Sequence, residues 1–192
     1  GSSTIRRLAR VSSAVMGKLE PLKAMDKKIE LGKFMGSWYV LAHIPVFVEK
    51  NAWNAVETYK WDAANKRFGV HYKFNEAKAD GKVSESEQRG YIHNYDTFTD
   101  LRVSPKLPLF GYTPLRLPYL ICHLSDDYQT TIVGYPSRSY LWIMARTPTL
   151  PDAEYAKLID KTKQMGYDPA QIRKVPQEPS SPAFAVPTAP VP

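Results

Sequence analysis

The chain has 192 residues, of which 43% are hydrophobic and 12% aromatic, a composition typical of a globular protein rather than a disordered one. This length supports one well-buried domain with tails, and no apolar run is long enough to cross a bilayer as a helix. The single cysteine, Cys122, excludes an internal disulfide, and the net charge of +7 is carried mostly by the first 34 residues.

Residues 1–34 are predicted to form a basic amphipathic helical arm, with eight Lys or Arg against three acidic residues. Such a helix suits an anionic membrane surface or an acidic partner, or it packs its apolar side on the domain that follows. The composition also fits a processed organelle transit peptide and not a secretory signal, which favours an intracellular, membrane-associated protein in a mitochondrion or plastid. The apolar residues recur at steps of three or four and form one stripe: Ile5, Leu8, Val11, Val15, Leu19 and Leu22.

Residues 35–175 are predicted to form one mainly antiparallel β-domain with a helix near its end. Eight short segments rich in β-branched and aromatic residues, mostly bounded by turn formers, indicate a sandwich or an up-and-down barrel. A helix is expected from Asp152 to Gly166, and Ile172 and Val175 are expected in a last short strand. The predicted strands span residues 38–44, 56–61, 68–74, 83–93, 98–103, 119–124, 130–133 and 140–145.

Residues 104–118 form a proline-rich apolar segment between two of these strands. Its four prolines are expected to keep it out of the sheet, and its only charges are Lys106 and Arg116. An exposed apolar segment marks a contact site for a membrane or a protein, whereas a buried one would be a lid over a barrel mouth. Its large apolar residues are Leu107, Leu109, Phe110, Tyr112, Leu115 and Leu117.

Three blocks of sequence carry a resemblance to a known family. Gly36-Ser37-Trp38-Tyr39 resembles the Gly-x-Trp-Tyr signature of lipocalins, and two later blocks, residues 126–128 and 133–148, agree with it in order and spacing. The chain from about residue 32 to residue 178 resembles the subgroup of bacterial outer-membrane lipocalins, plant temperature-induced lipocalins and apolipoprotein D. The resemblance implies an eight-stranded up-and-down barrel with one C-terminal α-helix on its side.

The same resemblance implies roles for individual side chains. The first-strand Trp38 is expected to plug the closed end of the barrel, with Arg146 of the last strand lying across its ring. Gly36 and Tyr39 complete this structural signature. None of the four is expected to be catalytic.

Alternation along the strands predicts the lining of a ligand cavity. Trp142 shares a strand face with Arg146, so that face should point inward. Glu57 has the same parity as Tyr59. It either contacts a polar ligand head or, as we expect, lies at the wet mouth of the barrel. The predicted lining residues are Val40, Ala42, Glu57, Tyr59, Val70, Tyr72, Gln88, Leu101, Val103, Tyr140, Trp142 and Met144.

These features predict a non-enzymatic carrier of a fatty acid, lysophospholipid, sterol or pigment at a membrane surface. An aromatic wall accepts all of these, although the same residues could fill a dry core. No cofactor other than such a bound molecule, no metal and no nucleic acid is expected.

The alternative is a structural peripheral subunit of an organellar membrane complex, docked by the arm, the proline-rich segment and the Pro/Ala-rich extended tail of residues 176–192. Cys122 has no evident activating base, which argues against an enzyme.

Overall fold

Strands make up most of the regular secondary structure, which the computed structural model describes for residues 19–46 and 51–178. Neighbouring strands pair antiparallel, and β9 returns to β1, so that eight long strands close into a barrel and the predicted fold class is confirmed. The strands are β1 (Gly36–Ile44), β2 (Ala52–Asp62), β3 (Arg67–Glu76), β4 (Val83–Ile92), β5 (Asp100–Leu107), β6 (Gly111–Tyr112), β7 (Leu117–Leu124), β8 (Thr130–Gly134), β9 (Leu141–Ala145) and β10 (Arg173–Lys174). The helices are α1 (Leu31–Phe34), α2 (Asp152–Gln164) and a 3-10 turn (Pro169–Gln171).

Two apolar clusters lie on opposite sides of the barrel wall. The larger fills the interior, where alternate residues of β3 such as Phe68, Val70 and Tyr72 are buried. The smaller lies outside, where Leu158 of α2 and Tyr167 cover β1, β8 and β9. Helix α2 therefore packs on the side of the barrel, as predicted, and leaves both ends of the barrel to other elements.

A β-bulge in β1 reverses the predicted orientation of one lining residue. The pairing of β1 with β9 shifts between Val40 and Ala42, where one extra residue is inserted. Val40 stays in the interior cluster, but Ala42 packs in the outer cluster with Ile143 and Leu158. The assignment of Ala42 to the cavity lining is therefore wrong, because a bulge interrupts the alternation on which that assignment depended.

The described part of the N-terminal arm is extended, not helical, up to α1. Residues 19–30 run along the barrel, and the backbone N–H groups of Leu22, Met25 and Ile29 donate to the carbonyls of Pro136, Ile121 and Thr97. Pro21 and this pairing with the barrel exclude the predicted helix here, because those N–H groups cannot also serve a helix. The rest of the predicted arm, residues 1–18, lies outside the described residues.

The chain after β10 seals a gap between β1 and β2. The N–H of Val175 donates to Leu41 O, the N–H of Asn54 donates to Pro176 O, and the side-chain amide of Gln177 donates to Val40 O and Ala55 O. We call residues 175–178 the C-terminal wedge. Residues 176–178, assigned to the tail from sequence, thus complete the barrel wall; residues 179–192 lie outside the described residues.

We expect Gly134→Ala to lower the free energy of unfolding by about 1–3 kcal/mol. A Cβ atom there would lie 2.6 Å from Tyr167 Oη and 2.7 Å from Leu22 Cδ2. The Tyr167 hydroxyl cannot easily move, since it donates to Tyr140 O at 2.9 Å. Urea unfolding measures the loss. Gly32→Ala is the matched control, because a Cβ there meets nothing within 4 Å, and equal losses in the two variants would contradict the packing argument.

Candidate functional site

One end of the barrel is closed by a cation stacked on an indole. The guanidinium carbon of Arg146 lies 3.6 Å from the centre of the Trp38 ring, and Trp38 is fully buried. Arg146 also donates to the backbone carbonyls of Ser37, Phe34 and Met35, while Trp38 Nε1 donates to Phe34 O. Burial lowers the pKa of Arg146 to about 10, so the side chain remains a cation at neutral pH.

The glycine of the signature has a conformational role at this end. Gly36 has a φ of 89°, a left-handed value that side chains other than glycine rarely adopt, and a Cβ there would lie 3.5 Å from Arg146 Nη1. Tyr39, next in the signature after Trp38, is half-buried and pairs with Ala145 of β9. The structure thus gathers all four signature residues where β1 meets β9.

The interior wall contains most of the predicted lining residues. Trp142 is half-buried against the interior cluster, Gln88 is half-buried opposite Val70 of β3, and Tyr140 is half-buried just before β9. A side chain at Gly90 would collide with the ring of the buried Phe68, so the two residues lie on the same face of the sheet. The predicted lining residues buried in the interior cluster are Val40, Tyr59, Val70, Tyr72, Leu101, Val103 and Met144.

Glu57 lies deep inside the barrel and not at its mouth. Its side chain is 3% exposed, and its residue pairs with Trp38 of the closed end. Glu57 Oε2 accepts hydrogen bonds from Tyr59 Oη at 2.6 Å and from Tyr119 Oη at 3.0 Å, and the two phenols also contact each other. The expected position at the wet mouth is therefore wrong, because two phenols on opposite walls hold the carboxyl inside. We call Glu57, Tyr59 and Tyr119 the polar floor.

A series of aromatic rings connects this floor to both ends of the barrel. On the closed side, the centre of the Tyr59 ring lies 5.1 Å from that of Phe34 in α1. On the other side, Tyr119 stacks on Trp142 at 6.0 Å, and Trp142 lies 6.3 Å from Tyr140. Since Tyr140 precedes β9 at the open end, the polar floor lies between the closed end and the aromatic upper part of the interior.

The proline-rich segment forms a hairpin that extends from the open end. Strand β5 continues through Pro105 to Leu107 and pairs with β6, and Pro105 O accepts from the N–H of Thr113. The expectation that prolines exclude it from the sheet is wrong here, because this ladder uses the carbonyl of Pro105 and not the missing N–H. Four of its side chains form an exposed apolar patch, the hairpin patch: Leu107 (46% exposed), Leu109 (102%), Phe110 (84%) and Leu115 (60%).

Contacts with β4 fix the direction of this hairpin. The Arg89 guanidinium lies 3.9 Å from the centre of the Tyr112 ring, and that of Arg116 lies 3.5 Å from the centre of the Tyr91 ring. Tyr112 is therefore covered, and Leu117 packs against the interior cluster. Those two residues do not belong to the exposed patch predicted from sequence. The hairpin is held against the outer wall of the barrel and does not form a lid.

The described part of the chain gives little support for a cysteine nucleophile, a metal site or a membrane-spanning helix. Burial raises the pKa of the Cys122 thiol to about 12, so almost none of it is a nucleophilic thiolate at neutral pH. Across residues 19–46 and 51–178, no three His, Cys, Asp or Glu side chains lie close enough together to hold a metal. No helix within those ranges is both long and apolar enough to cross a membrane.

Sequence reasoning missed two residues of this site. Tyr119 was placed on a strand but not in the lining, and Phe34 was assigned to the arm. Both are buried in the interior cluster. The alternation of β7 gives a weak signal for Tyr119, because three successive residues from Tyr119 to Ile121 are all buried. Its contact with Glu57 joins two strands that are not neighbours in the sheet, which alternation cannot reveal.

The chain is similar to proteins of one family. A family model described as a lipocalin-like domain matches residues 29–177. Temperature-induced lipocalin-1 of Arabidopsis thaliana is 32% identical over 165 residues, which cover 81% of this chain and 83% of that protein. The outer membrane lipoprotein Blc of Vibrio cholerae is 26% identical over 164 residues, covering 85% and 91%. The solved structure of apocrustacyanin C2 matches with a TM-score of 0.62 at 17% identity, covering 87% of this chain and 95% of that chain, a likeness of fold alone.

Proposed function

This chain belongs to the lipocalin family, and from that premise we propose that it binds and carries a small hydrophobic ligand at a membrane surface without catalysing a reaction. Lipocalins bind small hydrophobic molecules such as lipids and pigments. The ligand proposed here is a fatty acid, lysophospholipid, sterol or pigment.

The aromatic interior, closed at one end, is the observation that carries this proposal. Trp38 and Arg146 seal the bottom, the polar floor lies above them, and the Trp142 ring stacks on Tyr119 towards the mouth. A ligand there removes apolar surface from water, a gain of about 25 cal/mol for each Å². Binding of this kind needs no covalent step, which agrees with the inert Cys122 thiol.

The exposed hairpin patch supports the membrane surface as the place of action. The hairpin connects β5 to β7 on the side of the barrel mouth, so docking through its exposed side chains would place the mouth near the membrane. A hydrophobic ligand could then move between bilayer and barrel with little exposure to water. One relative is named an outer membrane lipoprotein, which is consistent with such a setting.

We expect a stoichiometric small hydrophobic molecule to accompany the protein when it is purified under mild conditions from its native source. Native mass spectrometry would show the added mass, and solvent extraction would identify the molecule. An empty barrel that also fails to bind long-chain lipids, retinoids or sterols in fluorescence titrations would contradict the proposal. Purification of an empty barrel with subunits of a membrane complex would instead favour a structural role.

The structural-subunit alternative depends on the arm and the tail. Most of both, residues 1–18 and 179–192, lies outside the described residues. In the described part, residues 19–30 and the C-terminal wedge are engaged with the chain's own barrel. No described contact favours that alternative over the carrier.

A further inference from the structure

Two asparagines are buried where the barrel wall reaches its mouth. Asn54 of β2 is 1% exposed and Asn75 of β3 is 3% exposed. Further along β2, Tyr59 pairs with Gly36 of the closed end, so the asparagine pair lies towards the opposite end, the mouth. A carboxamide is costly to bury unless its donors and acceptors are paired. The partners of Asn54 and Asn75 therefore show which segments this pair connects.

Asn54 is joined to the C-terminal wedge through both its backbone and its side chain. Its N–H donates to Pro176 O at 2.8 Å, and its side-chain Oδ1 accepts from the N–H of Glu178 at 2.6 Å. Gln177 lies between these two residues, and its side-chain amide donates to backbone carbonyls of β1 and β2. The wedge and Asn54 thus form one hydrogen-bonded unit.

The same carboxamide also holds the loop between β3 and β4. Residues 77–82, which we call the mouth loop, connect the mouth ends of these two strands. Asn54 Nδ2 donates to Ala79 O at 3.2 Å and to Asn75 Oδ1 at 3.0 Å. Asn75 Nδ2 in turn donates to Gly81 O at 2.8 Å. The asparagine pair therefore binds two carbonyls of the mouth loop.

The backbone at Asn54 is shaped for this double connection. Its φ of 52° is left-handed, a conformation that asparagine adopts more readily than most residues. The pairing of β2 with β3 shifts between Trp53 and Val56, so the N–H of Asn54 donates to the wedge and not to β3. The backbone partners also fix the orientation of the carboxamide, since its oxygen faces an N–H and its nitrogen faces a carbonyl. One side chain thus links the wedge to the mouth loop.

We infer that the C-terminal wedge controls the mouth of the barrel: through Asn54 it holds the mouth loop in place, so that loosening the wedge frees the loop and speeds the passage of ligand. The ligand part of this inference rests on the proposed function, whereas the coupling of wedge to loop is measurable without a ligand. A loop held by a few hydrogen bonds opens locally at a lower cost than the barrel unfolds. Such an opening changes the rates of entry and exit together and leaves the affinity of the interior nearly unchanged.

The first test is Gln177→Ala in the full-length protein, because this side chain bonds to β1 and β2 and not to the mouth loop. Hydrogen exchange measured by NMR should become at least about 10-fold faster at the amides of Ala77 and Gly81, the range expected when one or two hydrogen bonds are lost. Thr131→Val is the control. It removes a buried hydrogen bond to His123 O near the closed end, and it should leave those two amides unchanged.

The second test measures ligand exchange by stopped-flow fluorescence with retinol as the probe. Gln177→Ala should raise the association and dissociation rates together by at least about 5-fold and keep Kd within about threefold. Asn75→Ala cuts the loop side of the same connection and should have the same effect. The double variant should exchange retinol no faster than the faster single variant, because two breaks in one connection are not additive.

The outcomes separate the coupling from the function. Unchanged exchange at Ala77 and Gly81 in Gln177→Ala would overturn the coupling, and so would an equal increase in Thr131→Val, which would show a general loss of stability. A higher Kd with an unchanged association rate would overturn the control of the mouth. If neither retinol nor any lipid or sterol binds the wild-type protein, the proposed function fails, while hydrogen exchange still decides the coupling.

Asn75→Ala provides the reverse experiment if Gln177→Ala does not fold. Coupling between two segments is reciprocal, so freeing the mouth loop should also loosen the wedge. We expect faster hydrogen exchange at the Glu178 amide, which Asn75 does not contact and which donates to Asn54 Oδ1. An unchanged rate at Glu178 in this variant would contradict the inference.

Discussion

Trp38→Ala is expected to lower the free energy of unfolding by about 3–5 kcal/mol, among the largest losses for any single substitution in this barrel. The indole is fully buried, its ring supports the Arg146 guanidinium, and its Nε1–H donates to Phe34 O. Removing it leaves a cavity at the closed end and takes from Arg146 the aromatic face on which it lies. Urea unfolding followed by circular dichroism measures the loss.

The control for this prediction is the same substitution at Trp61 in β2, which is 38% exposed. Trp61→Ala should lower the free energy of unfolding by less than about half as much as Trp38→Ala. Equal decreases in the two variants would contradict a special role for the closed end. A double-mutant cycle with Arg146→Met, which removes the cation and keeps a long side chain, measures the coupling between the ring and the guanidinium. We expect a coupling of about 0.5–2 kcal/mol between the two positions, whereas additive losses would show that the stacking contributes nothing.

Replacing Leu109 and Phe110 together with serine is expected to weaken binding to phospholipid vesicles at least about 100-fold, since inserting each side chain into lipid is worth about 1.5–3 kcal/mol. Both side chains are almost fully exposed at the tip of the hairpin. The variant should therefore fold with unchanged stability and still bind ligand in solution. Flotation with vesicles of phosphatidylcholine, with and without an anionic lipid, measures the fraction of protein bound to the vesicles.

A double variant at the other end of the barrel provides the comparison for the hairpin. Tyr95→Ser with Trp61→Ser removes two exposed aromatic side chains, 58% and 38% exposed, and leaves the four side chains of the hairpin patch in place. Vesicle binding should be unchanged in this variant. Equal losses in both variants would mean that general surface hydrophobicity drives the partition, and no loss in either would remove the membrane from the proposed function.

Much of the barrel could be predicted from the sequence because local rules determine it. The alternation of Phe68, Val70 and Tyr72 identified β3 and its inward face, and the predicted helix from Asp152 matches α2 within two residues at its end. The signature block placed Trp38 and Arg146 together. In each case the decisive information lies within a few residues or in a family pattern.

The remaining features depend on contacts between distant segments. The bulge that turns Ala42 outward is invisible in a stretch of β1 where every residue from Val40 to Ile44 is buried. The hydrogen bond between Glu57 and Tyr119 spans 62 residues, and only the closed barrel brings them together. The apolar stripe that suggested a helix through Leu22 has its backbone donors engaged by the barrel instead.

The C-terminal wedge has a consequence for how the protein is made. Gln177 donates to Val40 O across 137 positions of the chain, so the first strand to be synthesised is completed by almost the last residues of the domain. The wall of the barrel cannot be finished until the whole domain has been translated, and contacts of such sequence separation form slowly. During synthesis the apolar interior therefore stays partly open to water until the C-terminal wedge can pair with β1 and β2.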